Sequence, residues 1–224
     1  MNNAEKALVE QLLPTLSAKG FKWLKTREMF IRKEPHGFSS LSWTSHSTND
    51  EGGRLELGLV LGVRHDIVDD VVNELGLIYG DDNKKFTTTV ARGLSLFPFK
   101  EGKDYKQCIR LVSVDADVQN AASGIVSILD EDGWQFFERF ASLSECAKGL
   151  NDPIESKTHP LYNNFPRRAY YGVASAFFAD NSQVTGLIHQ YLEFAKVVQP
   201  NQYDQISKRF DQLIATAQSR RCEA

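Results

Sequence analysis

Along residues 54–64 the chain places Leu55, Leu57, Leu59, Leu61 and Val63 on every second position. Side chains alternate across a strand with period two, so only an extended segment turns all five to one side. That side must be buried, and the polar and small residues between them (Glu56, Gly58, Gly62) face the other way. The segment demands a sheet with one apolar face and something apolar to cover it. Shorter strand-like runs precede it: residues 21–25 and 29–33 around the polar turn Thr26-Arg27-Glu28, then residues 38–47, with Leu41 and Trp43 on one face. Pro35-His36-Gly37 and the loop at residues 49–53 punctuate these runs.

A helix is expected before them over residues 3–18. Leu8, Leu12 and Leu16 form its stripe, Pro14 is a kink or an early stop, and Lys19-Gly20 is the closing signal. After the leucine run, residues 65–75 read as a short helix. Ile67, Val68, Val71, Val72 and Leu75 are expected inward, and Asp66, Asp69, Asp70 and Glu74 outward. A loop at residues 80–83 then leads to strand-like residues 86–90 and 94–97, and residues 105–114 alternate imperfectly. From Asp115 the apolar period becomes helical, with Val118, Ala121, Ala122, Ile125 and Leu129 in one stripe and Trp134, Phe137 and Phe140 in a second helix over 133–150. Three more helices are expected over 167–179, 182–198 and 202–218.

Strands first and helices after predict an α+β fold, with an antiparallel sheet of about four to six strands in the N-terminal half, packed against helices, and a helical C-terminal half. The expected organisation is an α+β domain over 1–150, a connecting segment over 151–166 that holds Pro153, Pro160 and Pro166, and a helical subdomain over 167–224.

Composition excludes several classes of function. The net charge is −3, divided as +1 over residues 1–113 and −4 over 114–224, without the concentrated basic face that nucleic acid requires. Cys108, Cys146 and Cys222 are odd in number and widely spaced, which suits a reducing cytoplasm. No apolar run approaches the length of a membrane span, and the N-terminal segment reads as a soluble helix and not a signal peptide.

No motif names a reaction. His36, His46, His65, His159 and His189 stand apart from one another, so no metal and no cofactor is expected. No GxSxG or phosphate-binding glycine loop occurs. Gly58 and Gly62 mark close approach of a neighbouring strand or helix. The adjacent Tyr170-Tyr171 and Phe177-Phe178 cannot all point inward on one stripe, so their helix is either buried on two sides or offers a contact surface. Charge is more suggestive than motif. Lys19, Lys22, Lys25, Arg27, Arg32 and Lys33 make a basic hairpin, while Asp66, Asp69, Asp70 and Glu74 make an acidic helix face. The acidic face suits a basic protein partner, and Trp43 suits an aromatic anchor.

The helix closing at Gly20-Phe21, the strand MFIRK, the polar strand FSSLSWTSHS and the strand ending LGLVLGV resemble a bacterial domain-of-unknown-function family with the pattern GF-K…-F-R…-Q-S…-F-x-L-x-L-G-V. The run GIVSILDEDGWQFFERFASL is similar to that family's second half, so the resemblance spans roughly residues 5–150. Where the pattern has Gln before a serine, this chain has Thr44. Some relatives lie beside polymorphic toxins and are taken to be immunity proteins. The resemblance therefore implies a protein-binding role and transfers no catalytic residues.

The expectation is a non-catalytic binding protein, monomer or homodimer. Its partner is another protein, a bacterial toxin by the resemblance above, which would meet Trp43 and His46 on the sheet, or Asp66, Asp69, Asp70 and Glu74 on the acidic helix. The alternatives are a small hydrolase-like enzyme whose non-local site joins His46, His65 and Arg64, and an adaptor that self-associates through its C-terminal helices.

Overall fold

In the computed structural model, which describes residues 3–47, 55–78, 80–94, 109–111, 115–156, 159–162, 164–180 and 182–223, the chain is α+β. Helix α1 (Asn3–Ala18) leads into strands β1 (Lys22–Leu24), β2 (Met29–Glu34), β3 (Gly37–Ser47) and β4 (Leu55–His65). Helices α2 (Asp66–Asn73) and α3 (Asp81–Lys84) follow, then β5 (Val90–Leu94) and β6 (Ile109–Leu111). Next come α4 (Asp115–Ile128), a π-helical turn at Leu129–Gly133, α5 (Trp134–Phe140), α6 (Leu143–Asn151), α7 (Arg167–Phe178), α8 (Val184–Val198) and α9 (Tyr203–Glu223). The sheet order is β1-β2-β3-β4-β5, with β6 also beside β4. The pairs β1–β2, β2–β3 and β4–β6 are antiparallel.

Two units form, and they interleave along the chain: residues 1–62 with 92–138, and residues 63–91 with 139–224. This differs from the linear division at 151–166 expected above. The physical reason is α2, which packs on α7 and α9 and so carries the end of β4 into the helical unit.

In the first unit α1 ends as the sequence suggests. Gly20 adopts φ 83°, the Phe21 N–H donates to the Leu16 carbonyl at 2.9 Å, and the Gly20 N–H donates to that of Ser17 at 2.9 Å. This is a Schellman closure, with Phe21 and Leu16 buried against one another's turn. Leu57, Leu59 and Leu61 are fully buried on the same sheet face as Phe30 and Leu41, each contributing about 1.5–3 kcal/mol. Helices α1, α4 and α5 supply Leu8, Leu12, Leu16, Ile125 and Phe137 to the same core. On the opposite sheet face the Ser40 and Thr44 hydroxyls reach the Gly62 and Gly58 carbonyls, and a β-carbon on Gly58 would stand 2.9 Å from Thr44 Oγ1. Close strand approach is what these glycines permit.

The expected helix over 133–150 is interrupted. The chain breaks at Ser142, which is extended (φ −92°, ψ 127°) and starts α6. The expected strand at 86–90 begins only at Val90, and the expected loop at 80–83 contains the short α3. Of 105–114, residues 109–111 form β6; the rest, like residues 95–97 and the loop at 49–53, lies outside the described residues.

In the second unit α7 is buried from Arg168 through Ala176, which settles the crowding of Tyr170 and Tyr171: both are enclosed. Helix α6 lies against α7 at Gly172, where the Asn151 side chain donates to the Gly172 and Ala147 carbonyls at 3.0 and 2.7 Å and accepts from the Tyr191 hydroxyl at 2.8 Å. A β-carbon at 172 would overlap Asn151 Oδ1. Gly172→Ala is therefore expected to cost about 1–3 kcal/mol, read as a lower urea midpoint. Adding Asn151→Ala should remove the further penalty of the β-carbon; a Gly172→Ala midpoint equal to wild type would refute the contact.

Candidate functional site

Two places gather the residues singled out from the sequence, one in each unit. In the first, Trp43 on β3 stacks on Trp23 of β1 with ring centroids 5.7 Å apart and planes 16° apart. Phe30 supports the pair at 4.8 Å from Trp23 and is itself fully buried. Both tryptophans are half-buried, on two strands that each pair with β2. His46 lies in β3, and its side chain is outside those described.

In the second unit, the end of β4 and the start of α2 build a charged cluster. The Arg64 guanidinium donates from Nε to Asp66 at 2.5 Å and from Nη2 to Asp70 at 2.6 Å. Its Nη1 donates to the Thr87 hydroxyl at 2.8 Å and the Lys84 carbonyl at 2.9 Å, and lies 3.6 Å from Asp69. Asn73 donates to the same Thr87 hydroxyl and Lys84 carbonyl, both at 3.0 Å. Asp66 and Asp69 lie in the first turn of α2, where the helix dipole favours carboxylates.

Asp69 corrects the sequence expectation. It does not face outward: its side chain is 0% exposed. Thr89 donates to Asp69 Oδ2 at 2.5 Å and Tyr171 to Oδ1 at 3.3 Å, while the Thr89 hydroxyl accepts from the His65 N–H at 2.8 Å. Ile67, expected inward, is 38% exposed. Because α2 is flanked by both α7 and α9, its buried arc is wider than the apolar stripe and takes in Asp69 and Asn73. Asp66 and Asp70 do reach the surface, but both are bonded to Arg64, and Glu74 is bonded to Arg220 at 2.8 Å.

Burial pushes the Asp69 carboxyl up to about 6, against the pull of Arg64 and of its hydrogen-bond donors. Arg64 itself is raised despite burial, because Asp69, Asp66 and Asp70 surround it. Tyr171 is raised well above the usual phenol range by burial and by Asp69.

An open cleft of about 230 Å³ lies beside this cluster, lined by Arg64, Asp70, Glu74, Lys84, Lys85 and Arg220 among others. His65 does not line it. The imidazole is buried, with Nε2 at 2.8 Å from the Phe140 carbonyl, so Nε2 carries the proton and donates. Arg64 and His65 thus work on different partners, and His46 belongs to the other unit. The Cys146 thiol, 3.3 Å from the same Phe140 carbonyl, is pushed up to about 12 by burial, so it behaves as an apolar residue. Among the described residues, no three His, Cys, Asp or Glu side chains converge as a metal-ligand set, and no helix is long and apolar enough to cross a membrane.

The residues the sequence reading missed are Thr87, Thr89, Asn73 and Arg168. The three hydroxyl and amide residues gave no signal, because a loop threonine acquires its role only from what folds over it. Arg168 had one: it is the second of two arginines that open a helix with no other charged residue. No family model, curated protein or solved structure matches this chain.

Proposed function

We propose that the chain is a non-catalytic protein-binding protein, an immunity protein that neutralises a bacterial toxin by occluding its active site. The observation that supports this reading is the Trp43–Trp23 stack: two half-buried aromatic rings fixed on two strands that each pair with β2, over a closed core. Rigid aromatic groups of this kind gain contact area at little cost in conformational entropy, and they dominate binding energy when a partner desolvates them. The acidic helix is the weaker docking surface, since Asp66, Asp70 and Glu74 already have internal cationic partners and Asp69 is enclosed.

Co-expression with the product of the gene immediately upstream tests the reading. The expected results are restored growth, a stable complex, and a Kd about 30-fold weaker for Trp43→Ala, with an unchanged circular dichroism spectrum. If neither neighbouring gene product binds or loses toxicity, the reading is wrong.

A further inference from the structure

The β1–β2 hairpin has two faces of different character. Pairing sets Lys22 opposite Ile31, Trp23 opposite Phe30 and Leu24 opposite Met29. Alternation then places Trp23 and Phe30 on the core face and Lys22, Leu24, Met29, Ile31 and Lys33 on the other. On that outward face Leu24, Met29 and Ile31 are half-buried; the exposed Lys22 lies opposite Ile31, and the exposed Lys33 follows one step further from the hairpin turn. The cations differ in their availability. Arg32 is engaged, bonded to Glu34 at 2.5 Å with its guanidinium 5.0 Å from the Phe21 ring centre. Lys22 and Lys33 have no carboxylate partner among the described residues. The acidic helix is the reverse case, with its surface carboxylates paired internally.

We propose that this outward hairpin face docks an acid-rimmed apolar surface of a partner protein. The proposal rests on the protein-binding reading above, adds a contact on the face opposite the Trp43–Trp23 stack, and specifies the chemistry of the partner surface that meets it: acidic, where the sequence alone suggested basic. Charge complementarity selects the sign, because unpaired lysines attract and orient carboxylates at long range while paired carboxylates attract little. The three aliphatic residues beside the lysines select a protein, since a nucleic acid offers them no aliphatic counterpart and is held by stacking on aromatic rings, which here lie on the other face. Docking is on the face and not along the edge: β1 has three residues and carries a lysine, features that discourage strand addition.

The probe is a fluorescein-labelled amphipathic peptide with a leucine stripe rimmed by glutamates, compared with its glutamine counterpart and with a labelled dT20 oligonucleotide, all by anisotropy with the full chain. The expected result is saturable binding of the glutamate peptide, at least tenfold weaker binding of the glutamine peptide and of dT20, and a tenfold loss for Lys22→Glu/Lys33→Glu. The control Lys6→Glu/Lys208→Glu, with the same charge change on exposed positions elsewhere, should bind like wild type. Equal or tighter binding of dT20, or glutamate-peptide binding that survives the hairpin reversal, overturns the proposal. The same hairpin variant in the co-expression assay separates the two ideas. Neutralisation that persists in Lys22→Glu/Lys33→Glu removes the docking face and leaves the immunity reading standing, whereas a wild-type chain that neutralises neither neighbour removes that reading, whatever the peptides do.

Discussion

Replacing Arg168 by methionine is expected to lower unfolding free energy by about 3–5 kcal/mol. Arg168 is only 1% exposed and lies in the first turn of α7. Its Nη1 donates to the carbonyls of Leu150 and Pro153, both at 2.9 Å, and its Nη2 to those of Ile154 and Ser156, at 2.8 and 3.1 Å. No carboxylate is among these partners; four carbonyl dipoles and the face of Tyr191, 5.7 Å away, receive the charge. Burial lowers the guanidinium below its usual range, yet an arginine stays charged throughout the accessible pH scale. Methionine fills the aliphatic volume but removes four charge-assisted hydrogen bonds to these carbonyls, one buried and three part-buried, each worth up to about 1.5–3 kcal/mol. Lysine keeps the charge and loses the planar fork, so Arg168→Lys should fall between the two. Urea denaturation followed by circular dichroism measures both, and hydrogen exchange should show early opening at residues 150–156. A methionine variant within 1 kcal/mol of wild type would mean the clamp is not needed.

Asp69 makes stability depend on pH in an unusual direction. Its carboxyl is raised from 3.8 to about 6 in the folded chain, so the folded state holds a proton that the unfolded state has released. The stabilisation from that proton is complete below pH about 4 and is lost as pH rises through about 6. A shift of this size corresponds to about 3 kcal/mol. Other carboxylates also titrate here, so the measurement is the difference between wild type and Asp69→Asn, in which they largely cancel. The wild-type advantage over Asp69→Asn should be greatest at pH 4 and shrink by up to about 3 kcal/mol by pH 7. A difference that is flat across this range, or that grows with pH, would show that Asp69 is held ionised by Arg64 throughout.

Asp69 also shows where a sequence stops being legible. The alternating leucines of β4 were readable because a period-two pattern has one geometric solution, and the structure buries Leu57, Leu59 and Leu61 as that solution requires. The closure of α1 at Gly20 was readable for a similar reason: a left-handed residue after an apolar stripe is a local event. The break before α6 was not read, since one helix was expected over 133–150. Ser142 with Glu145 has the spacing of a capping box, although in the structure Glu145 bonds to Arg139 at 2.7 Å and Ser142 to the Ser144 hydroxyl. The inward turn of Asp69 was not legible. A helix of eight residues covered on two sides buries an arc that its own apolar positions do not define, and only Tyr171 and Thr89, 102 and 20 residues away in sequence, decide that a carboxyl belongs there.

The same division holds for the candidate sites. Trp43 could be picked out from its place on a polar strand, but its stack on Trp23 required the β1–β2–β3 register. The four acidic positions of α2 were visible as a charge run, and a run states only how many charges there are. Which of them face solvent, and which already hold a cation, depends on Arg64 at the end of β4 and Arg220 near the C-terminus. Most of the elements, the buried face of the sheet and the α+β order could be read from the sequence, because backbone periodicity and turn chemistry act over a few residues. Tertiary structure alone decided the interleaved units, the enclosed carboxyl and the availability of the lysines, because burial and ion pairing are set by neighbours brought from elsewhere in the chain.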